Sequence, residues 1–218
     1  MAVRSPVVSS SRTGVRAPLR TRSGAIAMLV ILVAAVLAVG CGNGLGEARA
    51  LDSQGDIEGA IAAYQKVLAG APEDLDALTG AAVDLMTAGR FDEALLVQER
   101  IVTLDPNDAQ IRIELGFNYL NHQNRPADAV RVLAQAADLE PSARNLTFLS
   151  QAEMGNGDST GAEKTLHAAV ATDKAYAHSY VVLIRLLRES GRSDEAESVV
   201  EQARENGVDV GALSADGV

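Results

Sequence analysis

Three histidines, one cysteine and a large set of carboxylates are the residues of this chain that could do chemistry. A metal site or an acid–base pair needs two or more such groups on one face, for instance four residues apart on a helix. His122, His167 and His178 fall in three separate places, read here as lacking partners at ligand spacing, and all three are expected on the surface or in a groove. No serine sits in the strand–turn–helix context of a nucleophile elbow. The glycines punctuate turns and do not form a phosphate loop after a strand. Glu93, Glu195 and their neighbours suit helix N-termini, where negative charge is favoured. The expectation is a protein that is not an enzyme, with no cofactor and no metal. One cysteine also excludes an intrachain disulfide framework.

What must position any functional residue is a repeat. Gly89-Arg90-Phe91-Asp92-Glu93-Ala94 recurs as Gly55 to Ala60, Asn124 to Ala129, Gly157 to Ala162 and Gly191 to Ala196. The alanines stand at 60, 94, 129, 162 and 196, spaced by 34, 35, 33 and 34 residues. A period of this size means one supersecondary unit stacked on copies of itself. Each copy opens with a helix, turns at a Gly or Asn where positive φ is cheap, and continues in a second helix. Pro72, Pro106 and Pro141 follow three of the second helices; Lys174 stands at the equivalent place in the fourth, and Gly207 closes the fifth. In the second copy the pattern predicts helices over Leu75–Ala88 and Phe91–Leu104, with Ala94, Val97, Gln98 and Ile101 on one face. Ala48, Ala82, Gly116 and Ser150 supply small residues where first helices cross second helices. With 47% hydrophobic residues but only 3% aromatic, the apolar content suits closely packed helices.

This pattern resembles the tetratricopeptide repeats, above all in GRFDEALLVQERIVTLDPND and GDIEGAIAAYQKVLAGAPED. Another hairpin class, the Sel1-like repeats, has a longer period. The resemblance implies an all-α fold, a right-handed α-solenoid of about five helix-turn-helix units. Its expected bounds are 42–207, in repeats of about 41–74, 75–108, 109–142, 143–176 and 177–207, with a flexible tail over 208–218. This chain departs from the family in having no tryptophan, in Ile184 at a small-residue site, and in one extra residue in the third turn. The fourth copy is one residue short before its first helix, and the glycine-rich stretch Gly42 to Gln54 is either a ragged first helix or the end of a membrane helix.

In that family the first helices line a concave groove that takes peptides. Carried over by position, the groove holds Asp76, Thr79, Val83 and Met86; Gln110, Ile113, Phe117, Leu120 and Asn121; Arg144, Thr147, Phe148 and Gln151; and His178, Val181, Arg185 and Arg188. Phe117 and Phe148 are two of three phenylalanines and are either groove anchors or core. Arg144, Arg185 and Arg188 suit an acidic or carboxylate feature of the partner, with Arg185 and Arg188 one turn apart as a clamp. The residue types of the co-chaperone carboxylate groove are missing, since Thr79, Val83, Ile113 and Glu114 stand there.

The N-terminus is of another kind. Residues 1–24 are rich in Arg and Ser and are expected to be disordered, and 25–41 form a signal or membrane-anchor segment. Fifteen apolar residues, Ala25 to Val39, follow five arginines and lead into Gly40-Cys41. This resembles the lipobox of bacterial lipoproteins, with Cys41 as the lipidated residue and Ala38 where leucine is usual. The other reading, an uncleaved anchor, rests on the absence of charge from Ser23 to Gly46, long enough to span a bilayer. Both leave the array tethered on the extracytoplasmic face.

Those five arginines are part of the 19 basic residues, so 41–218 carries 14 bases against 29 acids, a charge of −15. That sign opposes nucleic acid as a partner. The expected function is a membrane-tethered, exported adaptor that binds a protein or peptide in its groove. The resemblance adds envelope assembly or secretion as a setting. The alternative is a self-associating structural or spacer protein of the cell envelope.

Overall fold

The computed structural model describes residues 44–211. Regular structure among them is helical: α1 (44–53), α2 (Ile57–Gly70), α3 (Leu75–Thr87), α4 (Phe91–Leu104), α5 (Ala109–Asn121), α6 (Pro126–Leu139), α7 (Ala143–Gly155), α8 (Ser159–Thr172), α9 (Ala177–Glu189) and α10 (Ser193–Glu205). Odd- and even-numbered helices pair as hairpins, and each second helix also packs on the first helix of the next hairpin. The result is the α-solenoid that the period demands. The segment 25–41, with Cys41, lies outside the described residues. Among the described residues, no helix is long and apolar enough to cross a membrane.

The turns within hairpins need one residue in the left-handed region, and the expected residues supply it. Gly55, Gly89, Gly157 and Gly191 have φ of 79°, 73°, 83° and 74°, and Asn124 has 51°. Asn tolerates that region better than other side chains, so the third copy keeps the turn without glycine.

Two solutions then open the second helix. In the first and fourth copies an aspartate caps it: Asp56 accepts from Gly59 N at 3.1 Å, and Asp158 from Gly161 N at 2.8 Å. Both donors are glycines, and a Cβ there would stand 2.4 Å and 2.3 Å from the other carboxylate oxygen, Oδ2, in the present rotamer. In the other copies an arginine takes the cap position and makes no side-chain cap. It pairs instead with the acid three residues on: Arg90 with Glu93 at 2.7 Å, Arg125 with Asp128 at 2.7 Å, Arg192 with Glu195 at 2.6 Å. Arg90 and Arg192 also reach back one repeat, to Glu58 at 3.0 Å and Glu163 at 2.6 Å. At these turns aspartate goes with glycine at the third position and arginine with an acid, although the first-helix caps Asp74 and Asp108 accept from Ala77 and Ile111.

Ala60, Ala94, Ala129, Ala162 and Ala196 are all fully buried where the two helices of a hairpin cross. A Cβ on Gly116 would come within 2.5 Å of Leu133 Cγ, so α5 and α6 approach closely there. Gly80 is a second close approach, unforeseen in the sequence, under the Tyr64 ring. Polar side chains join repeats inside the core. Asn118 Nδ2 of α5 donates to Gln98 Oε1 of α4 at 2.9 Å and to Phe91 O at 3.2 Å. Thr147 and Ser179 share a buried hydrogen bond of 2.8 Å between α7 and α9.

At the C-terminal end no further repeat follows α10 among the described residues. Val208 and Val210 turn back and are buried in the core of the last hairpin. The tail expected from 208 is therefore packed through Val210, because the apolar edge of the last hairpin needs a cover.

Candidate functional site

The first helices form the inner side of the stack. Neighbouring first helices touch, α5 with α7 and α7 with α9, while neighbouring second helices make no comparable contact among the described residues. The side on which units crowd is the concave one. On it, side chains left exposed or half-buried fall into two rows. One row is Asp76, Gln110, Arg144 and His178, one per repeat. The other is Arg49, Val83, Phe117, Gln151 and Arg185.

The rows are linked on a diagonal. Arg49 Nη2 donates to Asp76 Oδ2 at 2.9 Å, and Gln151 Nε2 lies 3.4 Å from His178 Nε2, both across 27 residues. That offset carries any residue of the second row to the first row of the next repeat. At the centre, Phe117 and Phe148 meet edge to face with centroids 4.8 Å apart, and the Arg144 guanidinium lies 5.2 Å from the Phe148 centroid. Both rings are half-buried and pack against the core formed by Leu95, Ile113, Leu133 and their neighbours. They are thus core on one side and groove on the other. His178 stands edge to face with Tyr176, centroids 6.3 Å apart. Burial, and then the Arg185 charge, hold its imidazole below the usual histidine range.

Several expected groove residues go elsewhere. Ile113 is 2% exposed and belongs to the core. It sits on the seam between α5 and its neighbours, into which an apolar side chain is driven, whereas Thr79 at the same place in α3 is exposed. Thr147 is buried too, its hydroxyl held by Ala143 O and Ser179. Arg188 does not form a clamp with Arg185, because its guanidinium meets Glu197 of α10 at 2.8 Å. Asp76, Val83, Asn121 and Arg185 are exposed and Gln151 is half-buried, with Asp76 held by Arg49.

The remaining histidines take structural places. His122 stacks on Phe91 across a repeat boundary, ring centroids 3.5 Å apart. His167 lies 3.9 Å from Glu163, four residues before it, a spacing overlooked in the sequence. That glutamate is held by Arg192. Gly157-Asp158-Ser159-Thr160-Gly161 has the letters of a nucleophile elbow but joins two helices, with Asp158 as a cap. Residue types alone do not mark the Arg49–Asp76 diagonal; its signal in the sequence is the 27-residue offset.

A family profile described as Tetratricopeptide repeat matches residues 45–109 and 149–209. No curated protein matches the chain. Among solved structures, a crystal structure of MamA protein is 22% identical with a TM-score of 0.69, covering 76% of this chain and 91% of that one. MamA from Desulfovibrio magneticus RS-1 is 17% identical with a TM-score of 0.68, over 77% and 94%. YrrB, described as a TPR protein with an unusual peptide-binding site, is 18% identical with a TM-score of 0.65, over 78% and 88%. At these identities the likeness is one of fold.

Proposed function

The chain belongs to the tetratricopeptide repeat family, and we propose that it is an exported, membrane-tethered adaptor whose concave face binds a segment of another protein, in envelope assembly or secretion. The observation that carries this reading is the Phe117–Phe148 pair, half-buried on the inner face with Arg144 over one ring. Aromatic rings in a concavity give a partner a few desolvated anchor points, and such points dominate binding energy. The peptide-binding description of YrrB supports the choice of ligand. The tether rests on the apolar run Ala25 to Val39 and on Cys41.

The test places a photocrosslinking residue at Gln110, exposed on the same face of α5, in the full-length chain in its own membranes. A discrete adduct that disappears with Phe148→Ala supports the adaptor. Adducts only with the chain itself favour the spacer alternative, and adducts indifferent to Phe148 refute the groove. For the tether, Cys41→Ala abolishes lipid labelling and leaves a larger, unprocessed chain. An unlabelled wild type of unchanged mass argues for the uncleaved anchor.

A further inference from the structure

Resting on that reading of the concave face, we propose that its C-terminal half takes an acidic peptide segment: an apolar side chain on the Phe117–Phe148 pair and a carboxylate on Arg185, with Arg144 beside them. The two ends of the face differ in how their charges are spent. At the N-terminal end Arg49 is closed by Asp76. At the C-terminal end Arg144 and Arg185 have no carboxylate partner among the described residues, although 41–218 carries 29 acidic residues. Elsewhere Arg90, Arg125, Arg188 and Arg192 each hold an acid, while exposed Arg100 on α4, off this face, has no carboxylate partner among the described residues either. Two exposed guanidiniums without an internal acid, in a chain of this charge, are complementary to a negative ligand.

The geometry sets the spacing of the motif. Packed helices lie roughly 8–10 Å apart, and an extended peptide advances about 3.3 Å per residue. A ligand crossing from the ring pair on α5 and α7 to Arg185 on α9 therefore covers about three residues. The Arg144 guanidinium lies 5.2 Å from the Phe148 centroid and is exposed, so it can meet a carboxylate beside the rings. The recognised class is an extended segment with Leu or an aromatic residue and Asp or Glu two to four positions away.

The experiment selects a random dodecapeptide display library on the full-length chain, then measures the enriched peptide by fluorescence anisotropy. Enriched sequences are expected to pair an apolar residue with an acid at that spacing. Arg185→Glu should weaken the peptide about tenfold or more, and exchanging the peptide's acid for lysine should restore binding to that variant. Arg185 is exposed, so the variant's helicity and melting should match the parent. A neutral or basic consensus that still needs Phe148 overturns the acidic class and leaves the adaptor reading standing. Enriched peptides indifferent to both Phe148 and Arg185, or no enrichment, overturn both. Concentration-dependent oligomers dispersed by Arg185→Glu would assign the face to a second copy of the chain and overturn the proposal.

Discussion

Phe117 and Phe148 stand 31 residues apart in adjacent repeats, and their rings meet at 75° with centroids 4.8 Å apart. Each ring packs on the core on one side and lines the groove on the other. On the proposed reading of this face, folding and binding draw on the same two side chains.

It follows that Phe117→Ala and Phe148→Ala lower stability and affinity together. Half-burial puts the stability cost at roughly 1–3 kcal/mol, and a double-mutant cycle should show a coupling of about 0.5–1.5 kcal/mol between the rings. Denaturant melts of the four variants check this. Strict additivity would mean that the edge-to-face contact contributes nothing.

The two turn chemistries should be exchangeable only as pairs. Gly59→Ala brings a Cβ to 2.4 Å from Asp56 Oδ2; a carboxylate driven out of the cap costs about 0.5–2 kcal/mol, whereas one that turns to the geometry Asp74 holds over Ala77 costs little. The double substitution Asp56→Arg with Gly59→Glu installs the arrangement of Arg90 and Glu93 and should recover most of that loss. A double variant no more stable than Gly59→Ala would show that the pairing rule fails in the first repeat.

Asp84 makes the junction of α1 and α3 sensitive to pH. It is 2% exposed, and burial, then the charge of Asp52 and a hydrogen bond with it, push its carboxyl up to about 6. With both carboxylates ionised Asp84 Oδ2 finds no donor among the described residues, and a proton on Asp84 supplies one. Tyr64 of α2 also feels both acids, its hydroxyl raised first by burial and then by Asp84 and Asp52. The folded value lies above the unfolded value of 3.8. The native state therefore holds a proton that the unfolded chain has released. This stabilisation is complete below about pH 4 and is lost as pH rises through about 6. Asp84→Asn keeps a donor at every pH. Its melting temperature should gain on the parent between about pH 4 and 6 and then level off, and a constant difference would refute the shared proton.

His178 reports the electrostatics of the C-terminal half of the groove. The groups that face it are Arg185 on its own helix, Tyr176 just before it and Gln151 on α7. Burial is the larger cause of its lowered pKa and Arg185 the smaller. Arg185→Gln should therefore raise the imidazole pKa only part of the way to the ordinary histidine value. NMR titration of the ring protons measures it, and no movement would place the Arg185 charge too far away to help bind a carboxylate.

The period, the turns and the crossing alanines were legible in the sequence because each depends on residues close along the chain. A positive φ needs Gly or Asn wherever the hairpin turns, and a helix crossing needs a small side chain in every copy, so both recur every 33 to 35 residues. The groove was legible only as a set of positions. Ile113 and Phe117 lie four residues apart on one face of α5, yet Ile113 is core and Phe117 lines the surface. Arg185 and Arg188 lie one turn apart, yet only Arg188 meets Glu197 of α10. Helical periodicity places a side chain on a face of its own helix. Where the neighbouring helices crowd that face, and which acid lies within reach of which arginine, is decided by the stacking of one repeat on the next.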